Sequence, residues 1–246
     1  MSKVAGRRAE KARDVREMFG AIARHYDLLN HVLSLNVDRR WRRGCVREVS
    51  KRLASPQPAI LDVGCGTGDL SLAFSLLGPV AGCDFCHPML QIGRDKISRF
   101  PVPHPISLLE GDALALPFRD CRFDVVVSAF VLRNLTDAQK GLQEMRRVLR
   151  GGGVLGVLDF SMPKVPIIGR LYRFYFFKIL PRLGTLISGV QGPYKYLPDS
   201  VQAFPEPEEL KALVAGAGFD DVEYRLFSGG IAVLLLARAR EPGVRS

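Results

Sequence analysis

The stretch Ala59-Ile60-Leu61-Asp62-Val63-Gly64-Cys65-Gly66-Thr67-Gly68-Asp69-Leu70 decides the fold. An apolar run ends in three glycines at alternate positions and passes into a helical pattern, which predicts strand, tight turn and helix. Glycine at these positions lets the backbone turn sharply and come close to a ligand, with the start of the following helix aimed at it. The dinucleotide fingerprint G-x-G-x-x-G is not met, because Asp69 and Ser71 stand where its last glycine would fall. No Gly-Lys-Ser or Gly-Lys-Thr follows either, so a P-loop is excluded. What remains is a nucleotide-like ligand without a pyrophosphate.

The same alternation continues outward. Ala59–Val63, Pro79–Asp84, Ile106–Glu110, Phe123–Ser128 and Val154–Phe160 read as strands, with helical patterns at about 69–77, 88–99 and 137–149 between them. Strand and helix in alternation predict a mostly parallel sheet covered on both faces. Pro207–Ala217 reads as one more helix. Val222–Phe227 and Ile231–Ala237 then flank Ser228-Gly229-Gly230, so a seven-stranded sheet should close on an antiparallel hairpin. Ahead of the glycine loop, Val15, Met18, Phe19, Ile22 and Tyr26 recur at helical spacing, and Asp38–Leu53 gives a second helical pattern. We therefore expect a helical cap over 1–54 and an α/β domain over 55–246, forming one compact unit. Residues 161–204 make an insertion after the fifth strand, too long for an ordinary loop.

Carboxylates recur at the strand ends. Asp62 precedes the glycines, Asp84 closes the second strand 20 residues after Gly64, and Gly111-Asp112-Ala113 follows the third. A carboxylate in the second position can accept hydrogen bonds from both hydroxyls of a ribose, each worth about 1.5–3 kcal/mol. Asp112 offers an acceptor for an adenine amino group. A single aspartate here would read as a helix N-cap, but three in register with Gly64, Gly66, Thr67 and Gly68 favour a cofactor pocket.

At this point the chain resembles the class I S-adenosylmethionine-dependent methyltransferases, over residues 15–238. More narrowly it resembles the C-methyltransferases of menaquinone and ubiquinone biosynthesis. The supporting stretches are Phe19-Gly20-Ala21-Ile22-Ala23-Arg24-His25-Tyr26-Asp27 with Asn30, Arg40-Trp41-Arg42, Gly111-Asp112-Ala113 with Leu116-Pro117-Phe118, and Ser128 with Arg133-Asn134. Tyr196-Leu197-Pro198-Asp199-Ser200 and Gly229-Gly230-Ile231-Ala232 complete them. The glycine loop specifies only the superfamily; Tyr26-Asp27, Arg133-Asn134 and Gly229-Gly230-Ile231-Ala232 specify the family. The resemblance implies a Rossmann-like α/β fold, S-adenosyl-L-methionine as cofactor, and contacts to it from Thr67, Asp84, Asp112, Ala113 and Ser128. Two positions depart from the pattern: Arg150-Gly151-Gly152-Gly153 lacks the family's proline before the paired glycines, and the strand-five carboxylate, usually Glu, is Asp159.

The implied acceptor is a polyprenyl quinol, demethylmenaquinol or the benzoquinol precursor of ubiquinone. An aromatic carbon attacks a sulfonium methyl only when an ortho or para hydroxyl loses its proton, so a base or phenolate stabiliser must face the methyl group. The family signature assigns this to Arg133 and Asn134. An arginine stays charged in proteins, so Arg133 is expected to polarise the hydroxyl, directly or through a water, rather than act as a free base. Tyr26 is the third catalytic candidate, ahead of His25. Cys83 and Cys86 form a C-x-x-C beside His87, but the remaining cysteines are distant in sequence, so packing beside the ribose is expected and no metal site.

The chain of 246 residues carries a net charge of +10, unevenly distributed. Residues 1–52 contribute +8 and residues 160–198, with six cations and no carboxylate, contribute +6, leaving −4 elsewhere. In 165–192 the cations interleave with Leu171, Tyr172, Phe174, Tyr175, Phe176, Phe177, Ile179 and Leu180. That composition suits a cap over the acceptor site facing an anionic membrane surface. The longest stretch without a charge, Leu70–Cys83, is 14 residues, short of a membrane span. No secretory signal or organelle presequence is recognised and five cysteines form no disulfide framework, so a cytoplasmic protein at the inner face of the cell membrane is expected, free to form a homodimer. A nucleic-acid methyltransferase would place Asn/Asp-Pro-Pro-aromatic after strand four, where this chain has Ser128-Ala129-Phe130-Val131, so no nucleic-acid partner is expected. The remaining alternative is an inactive membrane-peripheral scaffold that kept the fold; the intact glycine loop and Asp84 oppose it.

Overall fold

A computed structural model describes residues 6, 10, 13–23, 34, 36–163, 166–180, 182 and 192–241, without the side chains of 166–168, 171 and 192–195. The structural statements below concern these residues. Helix α1 covers 13–23 and α2 covers Val37–Ser50. Strands and helices then alternate: β1 Ile60–Val63, α3 Asp69–Phe74, β2 Val80–Asp84, α4 His87–Ile97, β3 Ile106–Glu110, β4 Phe123–Ala129, a 3-10 turn Leu132–Asn134, α5 Ala138–Val148 and β5 Leu149–Phe160. The insertion contributes α6 Pro166–Phe174, a π-helical segment Tyr175–Ile179 and α7 Gly192–Gln202, before α8 Pro207–Gly216, β6 Phe219–Phe227 and β7 Ala232–Ala239.

The seven strands form one sheet in the order β3-β2-β1-β4-β5-β7-β6. The first five are parallel to their neighbours, and β7 runs antiparallel to both β5 and β6. The chain winds outward from β1 to β3, then returns to place β4 on the other side of β1. This reversal opens a crevice beyond the carboxyl ends of β1 and β4. The α/β sandwich and the closing hairpin are as the sequence leads one to expect.

Strand alternation sorts the core into two layers. Leu61, Val63, Val126, Leu155, Val157, Val233 and Leu235 meet Leu142 and Met145 of α5 and Leu210 and Val214 of α8 on one face. Ile60, Val125, Val127, Val154, Leu158 and Leu234 meet Trp41, Cys45 and Val49 of α2 and Leu70 and Phe74 of α3 on the other. The four-residue spacing of Trp41, Cys45 and Val49 gives α2 a single apolar stripe. That stripe lies close on β5 because Gly156 has no side chain; a Cβ there would stand 2.9 Å from Val49 Cγ2.

Two strands are longer than the sequence suggests. β5 begins at Leu149, which pairs with Phe123 before a register shift, so the glycines expected as a loop lie within an irregular strand. β6 begins at Phe219 and carries a second shift between Asp220 and Glu223. Such irregularities keep a ladder going past residues that cannot pair in simple register.

The same alternation turns Asp62 towards α3 with Ile60. Ser71 Oγ donates to Asp62 Oδ2 at 2.6 Å, and Oδ1 has no hydrogen-bond partner. Burial pushes the Asp62 carboxyl up from 3.8 to about 7, with the charge of Asp84 adding to the rise and Ser71 and Arg42 opposing it. Between 3.8 and about 7 the folded state therefore binds a proton that the unfolded chain has released. Stability falls as pH rises through that window. Asp62→Asn should gain on the parent protein in urea unfolding across this interval and hold a constant difference above it; parallel pH profiles would contradict the assignment.

Candidate active site

Strand β1 delivers the chain into the glycine loop, where Gly64, Gly66 and Gly68 adopt φ of 69°, 54° and 81°. These left-handed values disfavour any residue with a Cβ. At Gly64 an added Cβ would also meet Val131 Cγ2 at 2.3 Å. The loop is tied to β2 through its backbone, with Gly64 N–H donating to the Cys83 carbonyl at 2.7 Å. Asp84 completes the connection: its Oδ2 accepts from Gly66 N–H and its Oδ1 from Cys86 N–H, both at 2.8 Å. Burial raises the Asp84 carboxyl, while these N–H groups, that of Phe85 and the nearby Arg16 pull it back down.

Beyond these strand ends lies a partly open cavity. Gly64, Gly66 and Asp84 form its floor, and Gly111, Asp112 and Ala113 one end. Asp112 Oδ1 is anchored by Leu114 N–H at 2.8 Å. Phe85, Cys86 and Met89 form an apolar side wall, and Val15 and Phe19 of α1 close over it. The loop after β4 adds Phe130, Val131, Asn134, Leu135 and Thr136 to the lining. A Cβ on Gly66 would stand 3.5 Å from Met89 Cε and take up cavity space. A thin cradle, two carboxylates and an apolar slot between them fit the ribose, adenine and thioether of S-adenosylmethionine.

The expected cofactor residues therefore divide. Gly64, Gly66, Asp84, Asp112 and Ala113 line the cavity; Asp62, Thr67, Gly68 and Ser128 stand behind it. Thr67 Oγ1 accepts from Lys96 Nζ at 3.0 Å, and Lys96 also pairs with Asp69 at 2.7 Å. Ser128 Oγ donates to the Val63 carbonyl at 2.8 Å, joining β4 to β1 at the crevice. These groups shape the loop from behind.

Among the catalytic candidates, Asn134 is at the cavity and Arg133 is beside it. Asn134 Nδ2 donates to the Phe130 carbonyl at 3.1 Å, and its Oδ1 accepts from Tyr196 Oη at 3.3 Å. Arg133 Nη1 pairs with Asp159 Oδ1 at 2.6 Å, with side-chain exposures of only 7% and 0%. The guanidinium carbon lies 5.1 Å from the centre of the Phe160 ring, and Nε is buried without a partner. Tyr26, like His25, Asp27 and Asn30, lies outside the described residues. Spacing could not reveal Asp159 as the partner of Arg133, nor Phe130, whose φ of 63° is rare for a bulky residue.

Four of the five cysteines, Cys45, Cys65, Cys83 and Cys86, are buried, and only Cys121 is exposed. Burial pushes the Cys83 thiol up to about 12, with Asp84 adding to the rise. Such a thiol is inert. Among the described residues no three His, Cys, Asp or Glu side chains converge on a metal position, and no helix is long and apolar enough to cross a membrane.

Solved structures share this architecture. The 4+2 cyclase SpnF superposes with a TM-score of 0.65 over 92% of this chain and 95% of its own, at 16% identity. A SAM-dependent methyltransferase from Aquifex aeolicus gives 0.58 over 79% and 89%, at 17% identity. Sequence relatives are nearer. A demethylmenaquinone methyltransferase of Thermus thermophilus is 49% identical over 88% of this chain and 97% of its own. One from Deinococcus radiodurans is 45% identical over 92% and 93%. A ubiquinone/menaquinone biosynthesis C-methyltransferase of Geotalea uraniireducens is 42% identical over 92% and 96%. With a family profile also matching residues 7–238, the glycine loop, its two carboxylates and the Arg133-Asn134 turn sit in a chain that belongs to the ubiE/COQ5 methyltransferase family.

Proposed function

We propose that this chain, an S-adenosylmethionine-dependent C-methyltransferase by family, methylates a ring carbon of demethylmenaquinol in the cavity between Asp84 and Asn134. The observation that carries the reading is that Asn134 lines the cavity while its neighbour Arg133, just behind it, is fixed by a buried ion pair with Asp159. The relatives at 49% and 45% identity, both named for demethylmenaquinone, support the naphthoquinol acceptor. The relative at 42% is named for both quinones, which keeps the benzoquinol precursor of ubiquinone as the second reading.

When bound, the cofactor supplies an activated methyl group for in-line displacement. In this reading Asp84 receives the ribose hydroxyls and Asp112 the adenine amino group. Gly64 and Gly66 allow close backbone approach, and Val15, Phe19 and Met89 exclude water. Asn134, oriented by the Phe130 carbonyl and Tyr196, meets the quinol oxygen. Arg133, held by Asp159 and stacked on Phe160, favours the phenolate over the phenol, which makes the ortho carbon nucleophilic. Tyr26 is retained as the third catalytic candidate.

The acceptor's chain is lipid-soluble, and we assign the outer face of α6 and the π segment to the membrane surface. Phe174, 59% exposed, and Ile179 stand among the exposed cations Arg170, Arg173, Lys178 and Arg182. Basic residues around exposed apolar side chains favour anionic lipid.

Three outcomes test these assignments. Extracts supplied with labelled cofactor and membranes from cells lacking the protein should transfer label to demethylmenaquinol, read by mass spectrometry; label in a benzoquinone instead selects the second reading. Arg133→Ala should bind cofactor as the parent does but turn over at least about tenfold more slowly at saturating quinol; unchanged turnover removes Arg133 from the mechanism. The protein should sediment with anionic vesicles at low salt and be released at high salt; failure to sediment contradicts the membrane assignment.

A further inference from the structure

A second cavity lies behind one aromatic partition from the first. Its walls include Trp41 of α2, Phe160 of β5, Tyr172 and Phe176 of the insertion, Leu197 of α7 and Ile231 in the hairpin turn. No charged side chain is among the described residues that line it. A charged ligand would lose its hydration there without a counter-charge, whereas a hydrocarbon would gain by burial.

Three observations join this chamber to the methylation site and to the basic surface. Phe130, which lines the first cavity, packs against Phe160, which lines the second, with ring centres 4.7 Å apart. Arg133 lies over the same Phe160 ring, so the charged group at the acceptor end stands at the join. The π segment forms the outer wall: Tyr175 and Phe176 line the chamber while Lys178 and Ile179 are exposed. Its wider turn is rare and recurs at functional positions.

We propose that the second cavity receives the first isoprene units of the acceptor's side chain while the quinol ring stays at Asn134, an assignment that rests on the acceptor reading above. The partition is one side chain deep on each side. A turn of the half-buried Phe160 ring connects the two spaces, and the remaining hydrocarbon leaves beneath the π segment towards lipid.

The chain has a single tryptophan, Trp41, and it lines this chamber. Geranylgeraniol added to the full-length protein should change Trp41 fluorescence saturably. Val37→Phe and Ile231→Phe fill the chamber from two separate walls, and intact cofactor binding checks the fold of each. Either should weaken the fluorescence response at least about tenfold, given what one extra group does to a matched apolar pocket. In turnover, KM for a geranylgeranyl-substituted demethylmenaquinol should rise by a similar factor, and KM for the analogue with methyl in place of the chain should stay within about twofold. No saturable response in the parent protein, a response that neither variant alters, or KM values for the two acceptors that move together, overturns the assignment. If the parent protein answers to geranylgeraniol but methylates neither quinol, the acceptor reading fails and the isoprenoid chamber stands.

Discussion

Both oxygens of one carboxylate, Asp84, are occupied by backbone N–H groups from two different loops, Gly66 after β1 and Cys86 after β2. Charge-assisted bonds of this kind are short and strong, and here they fix the separation of the two strand ends that flank the crevice. The glycine loop cannot hold its left-handed conformation by side-chain packing, since three of its residues have no side chain. It is held instead by Asp84 and by Gly64 N–H on the Cys83 carbonyl. The parallel sheet sets the strand ends side by side, and one acidic residue turns them into a cradle.

The other end of the site depends on a second carboxylate. Asp159 is fully buried and accepts both the Arg133 side chain and, at 3.3 Å, its backbone N–H. A buried ion pair adds little net stability, because desolvation cancels most of the attraction. What it does fix is orientation, with the guanidinium flat on Phe160 and beside Asn134. The short side chain of Asp159 holds Arg133 in against β5. The net positive charge of the chain falls elsewhere in the sequence, in residues 1–52 and 160–198.

The fold was legible because strands buried on both faces leave nearly continuous apolar runs, and the parallel β1 and the antiparallel β7 are both buried in this way. The helices between them announce their ends: Pro88 and Pro207 open α4 and α8, and Asp137 caps α5 through Lys140 N–H. The irregular start of β5 was not legible, because Gly151-Gly152-Gly153 carries a loop signal that the Leu149–Phe123 pairing overrides. In the site, Asp84 and Asp112 were legible from their distance past the glycines. The direction of Asp62 was recoverable from strand alternation alone, since it shares the face of Ile60 and not of Leu61. The union of Arg133 with Asp159, 26 residues later, depends on β4 and β5 being neighbours, and the aromatic chamber on an insertion folding back over α2. Neither carries a local signal.

The distribution of thiols has a practical consequence. Four cysteines lie in the core or beside the cofactor cavity, and Cys121 stands in the open just before β4, at the end of the sheet away from the crevice. A maleimide dye would therefore find one address on the native protein, remote from the chemistry. The chain already has the layout that single-site spectroscopy usually requires mutagenesis to create: one reactive handle on its far side and one intrinsic indole in the wall of its second cavity.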